Sequence, residues 1–172
     1  MLYRLRHHLA RTPASHLWKM VGVAVVMLAG ADYITGRFII GHDPQEQRSL
    51  AATVYLVDRY AEDFERGDYA AFTAGDLDPK ARWGRIFVKQ IAAGPGDTVR
   101  VADGVVTVRG TDKGTLEHGL EAFDAPASAY ARNGPIGAQQ YWMMGSTAVS
   151  FDSRYFGAVP AENMIGKVYP VY

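Results

Sequence analysis

The sequence predicts a mainly antiparallel β domain preceded by a single N-terminal transmembrane helix. An apolar run from Met20 to Ala31 follows a basic leader, and beyond residue 41 short β-prone segments alternate with turn residues. The chain of 172 residues has room for one ordinary domain and a short appendage. We therefore expect a cytoplasmic basic tail and membrane anchor over residues 1–40 and one β domain over residues 41–172.

The composition excludes several classes of function. Eighteen Lys and Arg residues balance eighteen Asp and Glu residues, so no basic field exists to hold nucleic acid. The sequence contains no cysteine, which excludes disulfides, thiolate catalysis and cysteine-based zinc sites. The five histidines show no ligand spacing, so we expect no metal and no cofactor.

The apolar run 20–31 has two interpretations. It is shorter than the roughly 20 residues that span a bilayer, unless apolar neighbours extend it, namely Leu17, Trp18, Tyr33, Ile34 and Phe38–Ile40. The preceding arginines and lysine then keep the N-terminus in the cytoplasm. A cleavable signal peptide is the other interpretation, because Ala29-Gly30-Ala31 has the small-x-small form of a processing site. Both interpretations place the chain beyond about residue 41 outside the cytoplasm.

The remainder of the chain has β texture. In order, the β-prone segments are 53–58, 69–72, 86–92, 98–101, 105–108, 141–144, 148–151 and 164–172. The strongest turn signal is Asp103-Gly104, because these residues accept the positive φ angles of a tight hairpin. Residues 110–140 are polar, rich in Gly and Ala and weakly patterned, so we expect a variable, loop-bearing insertion there.

Lys89 is a candidate general base. Common catalytic motifs such as G-x-S-x-G, H-E-x-x-H and S-x-x-K are absent. A lysine with its usual pKa of ~10.4 is almost fully charged at pH 7, but Lys89 shares a strand face with Phe87 and Ile91, and apolar surroundings favour the neutral amine. The alternative is a lysine at a sheet edge whose head reaches water, and the pattern alone favours that alternative.

Two segments resemble type I signal peptidases of the Ser-Lys class, in particular their conjugative-transfer branch, the TraF-type peptidases. The stretch KQIAAGPGD, from Lys89 to Asp97, resembles the segment in which the catalytic lysine precedes an apolar run ending in Pro-Gly-Asp. The stretch SFDSRYFG, from Ser150 to Gly157, resembles the last conserved box of the family, Ser-x-Asp-Ser-Arg-aromatic-aromatic-Gly. This second match is the more specific.

Weaker matches extend the resemblance to about residues 47 to 170. Gly67-Asp68-Tyr69 resembles a Gly-Asp segment that the family places between its nucleophile and its lysine. Ser49 stands at the head of an aromatic-aliphatic strand, where the family has its serine, although Ala51 replaces the usual proline. The resemblance thus identifies Ser49 as the candidate nucleophile.

The resemblance implies a membrane-bound serine endopeptidase with a signal-peptidase-like β domain. Ser49 would be the nucleophile, Lys89 its general base and Ser150 a hydrogen-bond partner that orients the lysine. Asp152 and Arg154 would form a buried ion pair that supports the site. The enzyme would sit in the bacterial inner membrane with its catalytic domain in the periplasm. Its substrates would be exported preproteins cut after small residues, including a prepilin, with conjugative secretion-system proteins as partners.

Two other interpretations stay open. A noncatalytic envelope component of a secretion apparatus is favoured by Ala51 and by residues 145–149, where the family has Gly-Asp-Asn-Arg-Asp. Against it, the three candidate catalytic positions all hold the required residue types. A self-cleaving Ser-Lys repressor shares the dyad, but it needs a DNA-binding module where this chain has its apolar leader. The sequence leaves open the natural substrate and whether the product is cleaved or cyclised.

Overall fold

A computed structural model of the protein describes residues 14–43, 50, 52–73 and 86–171. The chain divides into two compact units, with the boundary in sequence between Arg37 and Phe38. The first unit contains helix α1 (Ala14–Arg37), of which residues 16–37 are apolar and long enough to cross a membrane by length and composition. Phe38–Ile40, which the sequence joined to the apolar run, begin the first strand of the second unit instead.

The second unit is a β domain in which all strand pairs of the described ranges are antiparallel. The prediction of a mainly antiparallel β fold with one N-terminal apolar helix is confirmed. Its strands are β1 (Phe38–His42), β2 (Val54–Asp58), β3 (Tyr69–Thr73), β4 (Ile86–Ala93), β5 (Thr98–Ala102), β6 (Val105–Val108), β7 (Thr111–Thr115), β8 (Arg132–Pro135), β9 (Gln140–Met144), β10 (Val159–Pro160) and β11 (Met164–Pro170).

These strands form two sheets. One has seven strands in the order β1-β2-β11-β3-β4-β9-β10, and the other has four in the order β7-β6-β5-β8. Two short helices, α2 (Glu117–Phe123) and α3 (Ser153–Phe156), and two 3₁₀ turns (Ala127–Tyr130 and Ala161–Asn163) lie between strands. The hairpin of β5 and β6 turns at Asp103 and Gly104, with φ of 51° and 78°, as predicted.

The local structure of two segments differs from what the sequence pattern indicated. Within the expected loop-bearing insertion, residues 110–140, the chain forms β7, α2, a 3₁₀ turn and β8. All five residues of β7 are exposed, so no alternation of burial marks it, and β8 contains Gly and Pro, which are depleted in strands. The second difference is at 148–151, which forms no strand. The Ser150 N–H donates to the Thr147 carbonyl there, so this backbone turns instead of extending.

In the part of the chain that the structure describes, three clusters of apolar side chains make up the core. The largest joins residues of both sheets and includes Val99, Val101, Val106, Val108, Leu116, Ile136, Trp142 and Tyr155. The other two lie on the seven-stranded sheet, around Phe72, Ile91 and Met143 and around Tyr55, Val57 and Val168. Six polar residues of the described part are buried as well, namely Asp58, Lys89, Ser150, Asp152, Ser153 and Arg154.

Candidate active site

Lys89 projects from the interior of a sheet. Its strand, β4, pairs with β3 on one side and β9 on the other, so it is not an edge strand. Side chains alternate along it, and Lys89 and Ile91 are 4% and 1% exposed, while Gln90 between them is exposed. The alternative of an edge lysine with its head in water does not fit this position.

The amine of Lys89 is held by one described partner, the hydroxyl of Ser150. Lys89 Nζ donates to Ser150 Oγ at 2.9 Å, and Ser150 is itself buried. Burial lowers the pKa of Lys89 to about 8, against the opposing charges of Asp152 and Asp43 and with the help of Arg154. About one tenth of such an amine is neutral at pH 7, far more than for an exposed lysine.

Asp152 and Arg154 form a buried ion pair next to Ser150. The guanidinium of Arg154 donates from Nε to Asp152 Oδ1 and from Nη2 to Asp152 Oδ2, both at 2.8 Å. Exposure is 0% for Asp152 and 2% for Arg154. Burial alone would lower the pKa of Arg154, but the hydrogen bonds and charge of Asp152 raise it above its usual value. Arg154 therefore keeps its charge, and the donors and acceptors of the pair are largely satisfied.

The same two side chains fix the loop that carries Ser150. Arg154 Nη2 also donates to the carbonyls of Thr147 and Ser150, at 2.9 and 3.2 Å. Asp152 Oδ2 accepts from the Gly145 N–H at 2.9 Å. The backbone is thus tied on both sides of Ser150, and the Ser150 hydroxyl is presented to Lys89 from a fixed position. The charges support the geometry and are not placed to react.

Ser153 and Phe151 are two site residues to which the sequence assigned no role. Ser153 Oγ accepts from the Met143 N–H at 2.8 Å, which attaches α3 to β9. The Phe151 ring lies 6.2 Å from the ring of Phe87, which shares a face of β4 with Lys89. Both residues belong to the SFDSRYFG box, so the box itself was the only signal that could have identified them.

The structure brings four of the five predicted site residues together: Lys89, Ser150, Asp152 and Arg154. The fifth, Ser49, lies outside the described residues, as does Ala51. Leu50 between them is buried in the cluster with Tyr55. Among the residues that the structure describes, no group of three or more His, Asp or Glu side chains could hold a metal ion.

The chain is similar to known proteins. A family model described as signal peptidase, peptidase S26, matches residues 15–172. The probable signal peptidase I-2 of Synechocystis sp. is 36% identical over 110 residues, covering 62% of this chain and 47% of the relative, so the match spans about half of that protein. The conjugal transfer protein TraF of Agrobacterium fabrum is 25% identical over 168 residues, covering 90% of this chain and 94% of the relative.

A solved structure is also similar. The crystal structure of a signal peptidase I from Enterococcus faecalis matches with a TM-score of 0.37 and 21% sequence identity. The match covers 60% of this chain and 95% of that one.

Proposed function

The chain belongs to the signal peptidase family, peptidase S26, and we propose that it is a membrane-bound serine endopeptidase that cuts exported preproteins after small residues. The observation that supports this function is the buried hydrogen bond between Lys89 and Ser150. The surroundings that hold it also lower the pKa of Lys89 to about 8, mainly through burial. Such a lysine accepts a proton near neutral pH, as a general base must.

In the proposed mechanism, Ser49 attacks the scissile carbonyl while neutral Lys89 takes the hydroxyl proton. The lysine ammonium then returns this proton to the leaving amine as the tetrahedral intermediate collapses to an acyl-enzyme. Water, deprotonated by the same lysine, releases the acyl group. Ser150 aims the amine, and the Asp152–Arg154 pair keeps Ser150 in place. The Ser49 backbone N–H stabilises the oxyanion.

The proposed location follows from helix α1. Its residues 16–37 would anchor the protein in the bacterial inner membrane, with the basic tail in the cytoplasm. Residues 1–37 then form the tail and anchor, and 38–172 the periplasmic catalytic domain. A domain held at that surface meets preproteins as they emerge. The relative named as a conjugal transfer protein matches along 94% of its length, which supports a prepilin or another component of a conjugative apparatus as the natural client.

The test is processing of a co-expressed precursor with an Ala-x-Ala site by the full-length protein. Ser49→Ala and Lys89→Ala should abolish the mature product, since each removes one half of the dyad. Ser128→Ala and Lys113→Ala, at exposed positions in the insertion, are matched controls that should process normally. Immunoblots of membrane fractions must show equal amounts of every variant.

The pH dependence provides a second test of the lysine base. Because only the neutral amine of Lys89 accepts a proton, kcat/KM should rise with pH and reach half of its plateau near pH 8. Lys89→Arg should stay inactive across the range, since arginine keeps its proton. A profile that is flat between pH 6 and 9 would contradict a lysine base.

The second candidate function is that of a noncatalytic component of a secretion apparatus. It is favoured by Ala51 and by residues 145–149, where the sequence departs from the family pattern. If the dyad variants and the intact protein process the precursor alike, or if no precursor in a panel that includes prepilin is cut, this function replaces the first.

A further inference from the structure

The insertion between β6 and β9 packs against one side chain of α3, the buried ring of Tyr155. Gly119 of α2 lies so close to this ring that a Cβ added at Gly119 would overlap it. The ring of Tyr130 meets it edge-on, with the centroids 5.5 Å apart and an interplanar angle of 90°. The Tyr155 hydroxyl also points to the Leu116 carbonyl at 3.5 Å. Three parts of the insertion therefore enclose this one ring.

A second link joins the insertion to the end of α3. Arg132, at the start of β8, donates from Nη2 to the Tyr155 carbonyl at 3.2 Å and from Nη1 to the Tyr130 carbonyl at 2.9 Å. Its side chain passes Gly157, where a Cβ would come within 3.3 Å of Nε, and Gly157 has a φ of 89°. Burial lowers the pKa of Arg132, so a partly desolvated cation is held by these carbonyls.

Tyr155 also contacts the segment that carries Ser150, the hydrogen-bond partner of Lys89. It stacks on Phe151, with centroids 5.9 Å apart and ring planes within 14°. Phe151 follows Ser150 in the chain and contacts Phe87 on the Lys89 face of β4. The rings of Tyr130, Tyr155, Phe151 and Phe87, which we call the aromatic row, thus run from the insertion to the strand of the base.

We propose that the insertion positions Ser150 relative to Lys89. The insertion holds Tyr155, and Tyr155 holds Phe151 and Ser150 against Lys89. This positioning role rests on the proposed function, because it assumes that Lys89 is the base. Gly119, Tyr130 and Arg132 are its positioning residues. The charged groups that act on Lys89 are Asp152, Asp43 and Arg154, and none of them lies in the insertion. The insertion therefore acts through packing that excludes water and not through charge.

The test is Gly119→Ala in the full-length protein, because the added methyl forces the Tyr155 ring to move. The readout is the pH dependence of Lys89 acetylation by dilute acetic anhydride, quantified by mass spectrometry, since only the neutral amine reacts. In the wild type, half-maximal labelling should fall near pH 8. In Gly119→Ala it should rise by about one unit, as water reaches the amine. The pH profile of kcat/KM should shift by the same amount.

Matched variants keep the test decisive. Gly41→Ala adds the same methyl where nothing lies within 4 Å, and it should leave the labelling unchanged. If Gly119→Ala fails to fold, Tyr130→Leu removes one ring of the aromatic row without adding bulk and should raise the labelling pH by about half a unit. Tyr130→Phe keeps that ring and should behave as the wild type.

The outcomes distinguish a failure of the positioning role from a failure of the proposed peptidase function. A lower melting temperature with unchanged Lys89 labelling in Gly119→Ala and Tyr130→Leu means that the insertion is only structural, which overturns the positioning role. The labelling needs no substrate. A wild-type protein that labels near pH 8 but cuts no precursor therefore disproves the peptidase function while the packing effect is still measured.

Discussion

The two sheets of the β domain use their interiors differently. Side chains buried on the four-stranded sheet are apolar, with Val99, Val101, Val106 and Val108 each at most 2% exposed. The seven-stranded sheet contains Lys89 at 4% exposure and Asp58 at 4%, and the segment after β9 adds a buried ion pair. Burying apolar area stabilises a fold, whereas burying charge costs free energy unless partners compensate.

The contrast distinguishes the sheet that contains the candidate site. Nothing in the stability of a small domain requires a lysine inside a central strand, since a hydrophobic residue there would stabilise the fold more. A buried, hydrogen-bonded lysine is instead what proton transfer near neutral pH requires. The four-stranded sheet then contributes stability. The seven-stranded sheet contributes less stability, because it buries the polar groups of the candidate site.

The largest expected effect is at the ion pair. Asp152→Ala leaves the guanidinium of Arg154 buried without its carboxylate, and we expect a loss of about 3 to 5 kcal/mol in the free energy of unfolding. Urea unfolding of the detergent-solubilised protein followed by tryptophan fluorescence measures it. A loss below 1 kcal/mol would mean that water reaches the pair and would remove the contrast between the sheets.

The next effect is in the four-stranded sheet. Val106 is 0% exposed, so Val106→Ala removes two buried methyl groups and leaves a small cavity, at a cost of about 2 to 3 kcal/mol. The pH at which Lys89 is half-labelled should stay near 8 in this variant, because Val106 is not one of the positioning residues in the insertion. A shifted labelling pH would show that packing throughout the four-stranded sheet, and not the insertion in particular, affects Lys89.

A smaller effect has the opposite sign. The pKa of Lys89 is lowered from 10.5 to about 8 on folding, so between these values the unfolded state binds more protons and stability rises with pH. Below pH 8 the folded protein carries the full cost of a buried ammonium. Lys89→Met should therefore stabilise the protein at pH 7 by about 1 to 2 kcal/mol. The gain should fall towards zero by about pH 10.5, as unfolding measured at several pH values would show.

The smallest effect is at the surface of the seven-stranded sheet. Lys167 Nζ lies 2.8 Å from Asp68 Oδ2, with side-chain exposures of 16% and 27%, and this hydrogen bond raises the pKa of Lys167. Lys167→Ala should cost less than about 1 kcal/mol and progressively less as salt is added. A cost equal to that of Asp152→Ala would show that exposure does not determine how strongly these two ion pairs stabilise the domain.

Much of the fold follows from local sequence signals. Strands β2, β3, β5, β6, β9 and β11 were predicted because their apolar residues lie in short β-prone runs between turns, and the hairpin because Asp103-Gly104 permits its φ angles. Strand β7 was not predicted because it is exposed on both faces, so its sequence shows no alternation of apolar and polar residues. Residues 148–151 have the sequence pattern of a strand, but this segment turns, and backbone carbonyls of the turn accept hydrogen bonds from Arg154. A local sequence pattern does not predict such a contact.

The candidate site was less predictable from residues alone. Strand alternation predicts the apolar neighbours of Lys89, but only the resemblance paired it with Ser150, which is 61 residues away in sequence. The packing of Gly119 and Tyr130 on Tyr155 could not be predicted from the sequence. A glycine that is required because a ring lies close to its backbone cannot be distinguished in the sequence from a glycine in a turn. Contacts between segments that are far apart in sequence can be identified only in the three-dimensional structure.

Strand β11 lies between β2 and β3, although it follows all the other described strands in sequence. During translation, β2 and β3 emerge long before the strand that must join them, and each carries an unpaired edge until then. The sheet therefore closes only after nearly the whole domain has left the ribosome, and long-range closure of this kind is slow. A nascent chain halted before residue 164 would lack the strand that joins β2 to β3, so β3, which pairs with the Lys89 strand, would keep an open edge.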